Sequence, residues 1–149
     1  MVATMMGKRL ERNAVMAHRR LCSTAHHEAG HAVAAYVFGL AFTFATIRPA
    51  AESAGHVEVT IPLWVKRARR SDPGFRLWVD SYVMVQMAGF LAERDYLKRG
   101  NHKGAASDYA GTYELAKLVT FGIRERLRYL DWLYERTRVG TIPCVRIGK

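Results

Sequence analysis

The chain has 149 residues, half of them hydrophobic, and carries 23 Lys and Arg against 13 Asp and Glu, a formal net charge of +10. That length and apolar content fit a single domain with one ordinary core, and no internal repeat or low-complexity tract is visible. Cys22 and Cys144 lie far apart and form no CxxC pair, which argues against a disulfide framework and a cysteine-based metal site and suits a reducing cytosol.

Residues 1–20 read as a basic N-terminal arm, flexible or partly helical, with Met5, Met6, Leu10, Val15 and Met16 as docking points. Residues 21–149 read as the domain. No apolar h-region or small-residue cleavage site follows the basic start, so no signal peptide is expected. No run approaches the roughly 18 apolar residues of a membrane span either.

The first helix is predicted over 24–38. Ser23 or Thr24 caps it, and Gly39 ends it in a left-handed conformation. Ala25, Ala29, Ala32, Val33, Ala35, Tyr36, Val37 and Phe38 make it apolar on most sides, the mark of a buried helix. It carries His27-Glu28-Ala29-Gly30-His31. Two histidines four apart lie one above the other on a helix face, as a metal ion requires. Glu28 between them stands beside such a metal without ligating it, placed to take a proton from bound water. The same five residues also arise by chance, as two surface histidines and a solvated glutamate. Burial weighs against that reading: unpaired polar groups in an interior cost free energy, and a metal satisfies most of them. Gly30 costs about 1 kcal/mol of helix propensity against alanine and is therefore expected to serve close packing.

Strands are predicted near 43–48 and 55–61, where Val57, Val59 and Ile61 alternate with Glu58 and Thr60. Lys66 to Arg70 reads as an exposed loop, followed by Ser71-Asp72-Pro73 as a cap with proline at the first helical position. A long helix over 73–98 presents Leu77, Val83, Met84, Met87, Phe90 and Leu91 as an apolar stripe and ends before Gly100. A third helix covers 108–121. Asp108 at its start is a candidate third ligand, because a catalytic zinc takes three protein ligands and leaves one position open. By position alone, Asp108 reads first as a capping or first-turn acid. Glu52, His56 and Glu58 come sooner in the chain, on turn and strand. A fourth helix runs from 123 to about 138, and the tail after Gly140 reads as loose. The fold class is α+β, mainly helical, with a small sheet against the active-site helix.

Several blocks occur in an order that adds to this reading. Thr24-Ala25-His26-His27-Glu28-Ala29-Gly30-His31-Ala32-Val33 comes first. Thr46-Ile47-Arg48-Pro49, Gly55-His56-Val57-Glu58 and Ile61-Pro62 follow. Met87 to Glu93 reads MAGFLAE, and Gly104-Ala105-Ala106-Ser107-Asp108 precedes Tyr113-Glu114-Leu115-Ala116. Over about residues 22 to 123 the chain resembles the peptidase domain of the FtsH family of zinc proteases. The resemblance implies an FtsH-like peptidase fold and a Zn²⁺ ion held by His27, His31 and Asp108. It implies peptide-bond hydrolysis with Glu28 as general base. It implies that Glu93 faces the site and orients His27 or His31. It implies that the strand through His56, Val57, Glu58 and Val59 pairs with an unfolded or flexible polypeptide substrate. His26, His56 and His102 read as satisfied or exposed rather than as ligands.

The departures are specific. His26 stands where the family usually has an aromatic, Ala88 replaces a glycine, and Phe90 replaces an arginine. FtsH proteins carry an ATPase module and a membrane anchor. This chain has no Walker A motif, so no ATP binding is expected, and the resemblance is to a stand-alone cytoplasmic peptidase. The ring of FtsH proteins rests partly on that module and is not carried over. The basic surface suits nucleic acid or an anionic membrane, but no nucleic-acid motif accompanies it, and a solvated basic surface is the favoured reading. The alternative function is a weakly active or inactive peptidase-fold module that binds or regulates, contacting nucleic acid through that surface.

Overall fold

A computed structural model describes the backbone of residues 2–50, 53–100 and 105–146, and the side chains of these except 2–5, 8 and 141–146. Glu52, His102, Gly104 and the Cys144 side chain lie outside the described residues. The elements in order are α1 (Val2–Val37), β1 (Phe42–Thr46), β2 (His56–Val59), α2 (Leu63–Arg67), α3 (Pro73–Leu97), α4 (Ala106–Ala116) and α5 (Ile123–Arg146). The molecule is a mainly helical α+β fold with one small antiparallel sheet. Among the described residues no helix is long and apolar enough to cross a membrane.

The frame is the antiparallel pair of α1 and α3: Ser23 meets Glu93 and His31 meets Val85, so the two helices ascend in opposite directions. Small residues let them approach. A Cβ on Gly30 would lie 2.5 Å from the Ala88 carbonyl oxygen and 2.7 Å from the Ala92 Cβ, distances no side chain tolerates. The packing reason expected for Gly30 is thus the close approach of α3. Ala34, Ala35, Val85 and Ala88 close the contact further along. The main core lies on the other side of α3, where Phe75, Trp78, Val79, Val83 and Met84 pack against Val65 of α2, Val119, and Tyr129 and Leu133 of α5.

Local chemistry explains several element ends. Gly39 takes φ +71°, and the Phe38 and Leu40 amides return to the Ala34 and Ala35 carbonyls at 2.9 and 2.8 Å, closing α1 as expected. Asp72 caps α3, its carboxylate accepting from the Gly74 amide at 2.8 Å with Pro73 in the first turn. β1 and β2 pair with Thr46 opposite His56, Ala45 opposite Val57 and Phe42 opposite Val59, with a bulge between Phe42 and Ala45.

Several expectations are corrected. The helix predicted from residue 24 begins at Val2, so the segment read as an arm is continuous with α1 and Ser23 lies mid-helix rather than at a cap. Alanine, methionine, leucine and arginine dominate residues 2–21 and carry the helix through without a break. α1 is buried on one face only: Tyr36 is 83% exposed and Val37 is exposed beside it. α4 stops at Ala116, not 121, because the chain tightens into i→i+3 bonds at Leu118 and Val119 and the Thr120 hydroxyl takes the Ala116 carbonyl at 2.7 Å. Lys66 and Arg67 belong to the short α2, and α5 continues through Gly140 to Arg146 where a loose tail was expected.

Candidate metal centre and cleft

The four-residue spacing on α1 stacks His27 and His31 with their Nε2 atoms 3.0 Å apart. Asp108, in the first turn of α4, brings Oδ2 to 3.0 Å from His27 Nε2 and 3.5 Å from His31 Nε2. One ligand atom from each of the three residues lies within 4.8 Å of the others.

The other ring nitrogens decide what this cluster needs. His31 Nδ1 lies 2.7 Å from the Val85 carbonyl, which can only accept, so the hydrogen-bond network assigns the proton to Nδ1. His27 Nδ1 lies 3.4 Å from Glu93 Oε2 and is assigned its proton in the same way. Glu93 is buried and its other oxygen accepts from the Ser23 hydroxyl, which fixes the carboxylate. Each imidazole therefore turns its Nε2 inward, where the neutral ring presents a lone pair and the protonated ring a donor. Two ring nitrogens and a carboxylate oxygen converge within hydrogen-bond distance, so either a shared proton or a cation relieves the repulsion among their lone pairs.

No protein-family model, curated protein or solved structure matches the chain.

The electrostatics agree with the geometry. Burial pulls the His27 pKa down, but the hydrogen bond to Asp108 and the charges of Asp108, Glu28 and Glu93 outweigh it and hold the group above the usual 6.5. Burial pushes Asp108 up, but hydrogen bonds and charge from His27 and His31 outweigh it and bring the carboxyl down to about 2. Asp108 is thus ionised at neutral pH, ready to meet a cation. Glu28 shifts the other way: burial raises it, more than His31 and His27 lower it.

Two glycines make room. A Cβ on Gly89 would sit 2.4 Å from His31 Nε2 and 2.8 Å from His27 Nε2, so only a hydrogen fits beneath the imidazole pair. A Cβ on Gly55 would sit 2.7 Å from both Glu28 Cγ and Oε1, so the glutamate lies against bare backbone where β2 begins. The site opens into a cleft of about 720 Å³, bordered by α1, by Ser53 to Val59, by Tyr82, Val85 and Gln86 of α3, and by Ser107. Among the described residues no Lys or Arg lines it. Among the described residues β2 is paired with β1 on one edge only, and His56, Val57, Glu58 and Val59 all border the cleft. Glu58 is turned towards β1, where its carboxylate accepts from the Thr43 hydroxyl at 3.2 Å.

The sequence-predicted residues His27, Glu28, His31, Glu93 and Asp108 are thus brought together around one cleft. His26 stacks on Tyr96 with ring centroids 4.1 Å apart, and His56 sets its edge against Phe44, so neither joins the cluster. Ser23, Gly55, Gly89 and the Val85 carbonyl escaped sequence reasoning. A periodic signal existed for three of them. Residues 23, 27 and 31 form one four-residue stripe on α1, and 85, 89 and 93 form the facing stripe on α3.

Proposed function

We propose that this protein is a zinc-dependent metallopeptidase built on an FtsH-like peptidase fold, with His27, His31 and Asp108 as ligands. The observation that carries the reading is the convergence of two Nε2 atoms and one ionised carboxylate oxygen, each ring oriented by an acceptor on its far nitrogen. A nitrogen and oxygen donor set with two imidazoles suits Zn²⁺. His27, His31 and Asp108 would hold such an ion, which would supply a bound water of pKa roughly 7 and Lewis-acid polarisation of a carbonyl group.

The chain's own residues supply the rest. Glu28, whose pKa is raised by burial, is placed in the cleft to accept a proton and return it to the leaving amine. Glu93, steadied by Ser23, holds the His27 ring in its working tautomer. β2 offers main-chain groups for pairing with an extended polypeptide.

The test uses the full chain purified without chelator. Metal analysis is expected to find about one zinc per chain, and casein is expected to be cleaved. Glu28→Gln is expected to keep the zinc and lose the cleavage. Absence of zinc with no uptake on titration sinks the metal centre. Equal cleavage by parent and variant removes Glu28 from the reaction.

A further inference from the structure

At the end of the molecule where α3 begins, large apolar side chains stand in solvent. Ile61 is 44% exposed, Leu63 70%, Trp64 49% and Leu77 67%. The Trp64 ring lies about one van der Waals contact, 3.9 Å, from the point a Gly74 Cβ would occupy, and Leu77 follows Gly74 by one helical turn. Arg76 reaches the Val119 carbonyl at 3.3 Å, which brings the α4–α5 connection to the same end, and there Phe121 is fully exposed. Single exposed apolar residues are ordinary, but isoleucine, leucine and tryptophan exposed together within four residues, with Leu77 one turn from the glycine under the Trp64 ring, mark an interaction surface.

The surroundings select the partner. Lys66, Arg67, Arg69 and Arg70 are exposed directly beside Leu63 and Trp64. The neighbouring acid, Asp72, is occupied in capping α3. A second copy would bring the same cations face to face. A duplex would meet the cations through its phosphates and gives Leu63 and Trp64 nothing to enter, and a single strand could stack a base on Trp64 but leaves Ile61, Leu63 and Leu77 in water. An anionic bilayer satisfies both halves: apolar side chains and tryptophan enter the headgroup boundary while Lys and Arg meet the lipid phosphates. We infer that this patch docks the protein on an anionic phospholipid surface. β2 leads into the patch through Ile61, so docking would bring the edge of the cleft close to the bilayer.

The experiment is co-sedimentation of the full chain with vesicles of equal parts phosphatidylcholine and phosphatidylglycerol, beside vesicles of phosphatidylcholine alone. Binding is expected to the mixed vesicles, to weaken in high salt, and to be slight on phosphatidylcholine. Arg69→Ser with Arg70→Ser is expected to lower partitioning roughly fivefold per charge removed. Leu63→Ser with Trp64→Ser is expected to lower it by about tenfold or more, as apolar area stays in water. All four positions are exposed, and an unchanged melting temperature verifies that each variant is folded. No binding to mixed vesicles overturns the inference, as does binding that the Leu63/Trp64 variant retains in full. Capture of duplex DNA or polyglutamate without vesicle binding reassigns the patch and overturns it too.

Discussion

Over residues 23 to 35 α1 lies against α3 with Ser23, Glu28, Gly30, His31, Ala34 and Ala35 buried, whereas over residues 9 to 20 every side chain of the same helix is exposed. The backbone is identical in kind, but its support is not. The outer half is helical because its residues favour a helix and because it continues a helix already nucleated. The inner half is held by tertiary contacts that tolerate no added atom at Gly30 or at the facing Gly89. The same contacts that remove freedom from the inner half are those that aim His27 and His31. In this helix, then, rigidity and chemistry coincide, and the outer half is where change is tolerated.

Four measurements break or sharpen that contrast. The largest effect is expected from metal removal. A ligand present at a thousand times its dissociation constant stabilises by about 4 kcal/mol, so chelation is expected to lower the melting temperature sharply. Amide exchange is expected to accelerate over residues 23 to 35 and to change little over 6 to 20. Next comes Gly89→Ala, whose methyl would occupy the space of both imidazole Nε2 atoms. Overpacking of this kind costs about 1–3 kcal/mol, and zinc titration is expected to show loss of high-affinity binding even where the fold survives.

Glu93→Gln ranks third. It removes the charge that orients His27 while keeping the shape, and is expected to lower zinc affinity by about 10- to 100-fold. Its pH dependence sharpens the point. The raised His27 pKa stabilises the zinc-free protein below pH 6.5, and that contribution is lost as pH rises through the folded value. Zinc binding has the opposite sign, because His27 must lose its proton to ligate. The gap in melting temperature between zinc-loaded and zinc-free protein is therefore expected to close as pH falls through the raised His27 value. Leu10→Ala in the outer half ranks last, at no more than about 0.5 kcal/mol in denaturant unfolding. A larger loss would mean that the outer half packs on something after all.

Much of the site was legible because helical spacing is local. His27, Glu28 and His31 are read from a period of four, and Asp72-Pro73 and Gly39 from cap chemistry. Asp108 was not legible from position: it sits in the first turn of α4, where an acid needs no special reason, and what distinguishes it is a long-range approach to His27 that periodicity does not encode. Ser23 was read as a cap because serine before an apolar run is one, and its true partner, Glu93, lies 70 residues away. The outer half of α1 was misjudged for a related reason. A helix exposed on every side carries no burial stripe to read, only propensity.

The two imidazoles are anchored in unlike ways. His31 leans on the Val85 carbonyl, a group every amino acid possesses, so no single substitution of that side chain deletes the contact. His27 leans on Glu93, and Glu93 on Ser23, both side chains that one mutation can change. The centre thus has one invariant foot and one adjustable foot. Under the proposed reading, drift or selection at residues 23 and 93 would retune how tightly the site grips a cation and how readily it surrenders it to acid, while His27, His31 and Asp108 stay as they are.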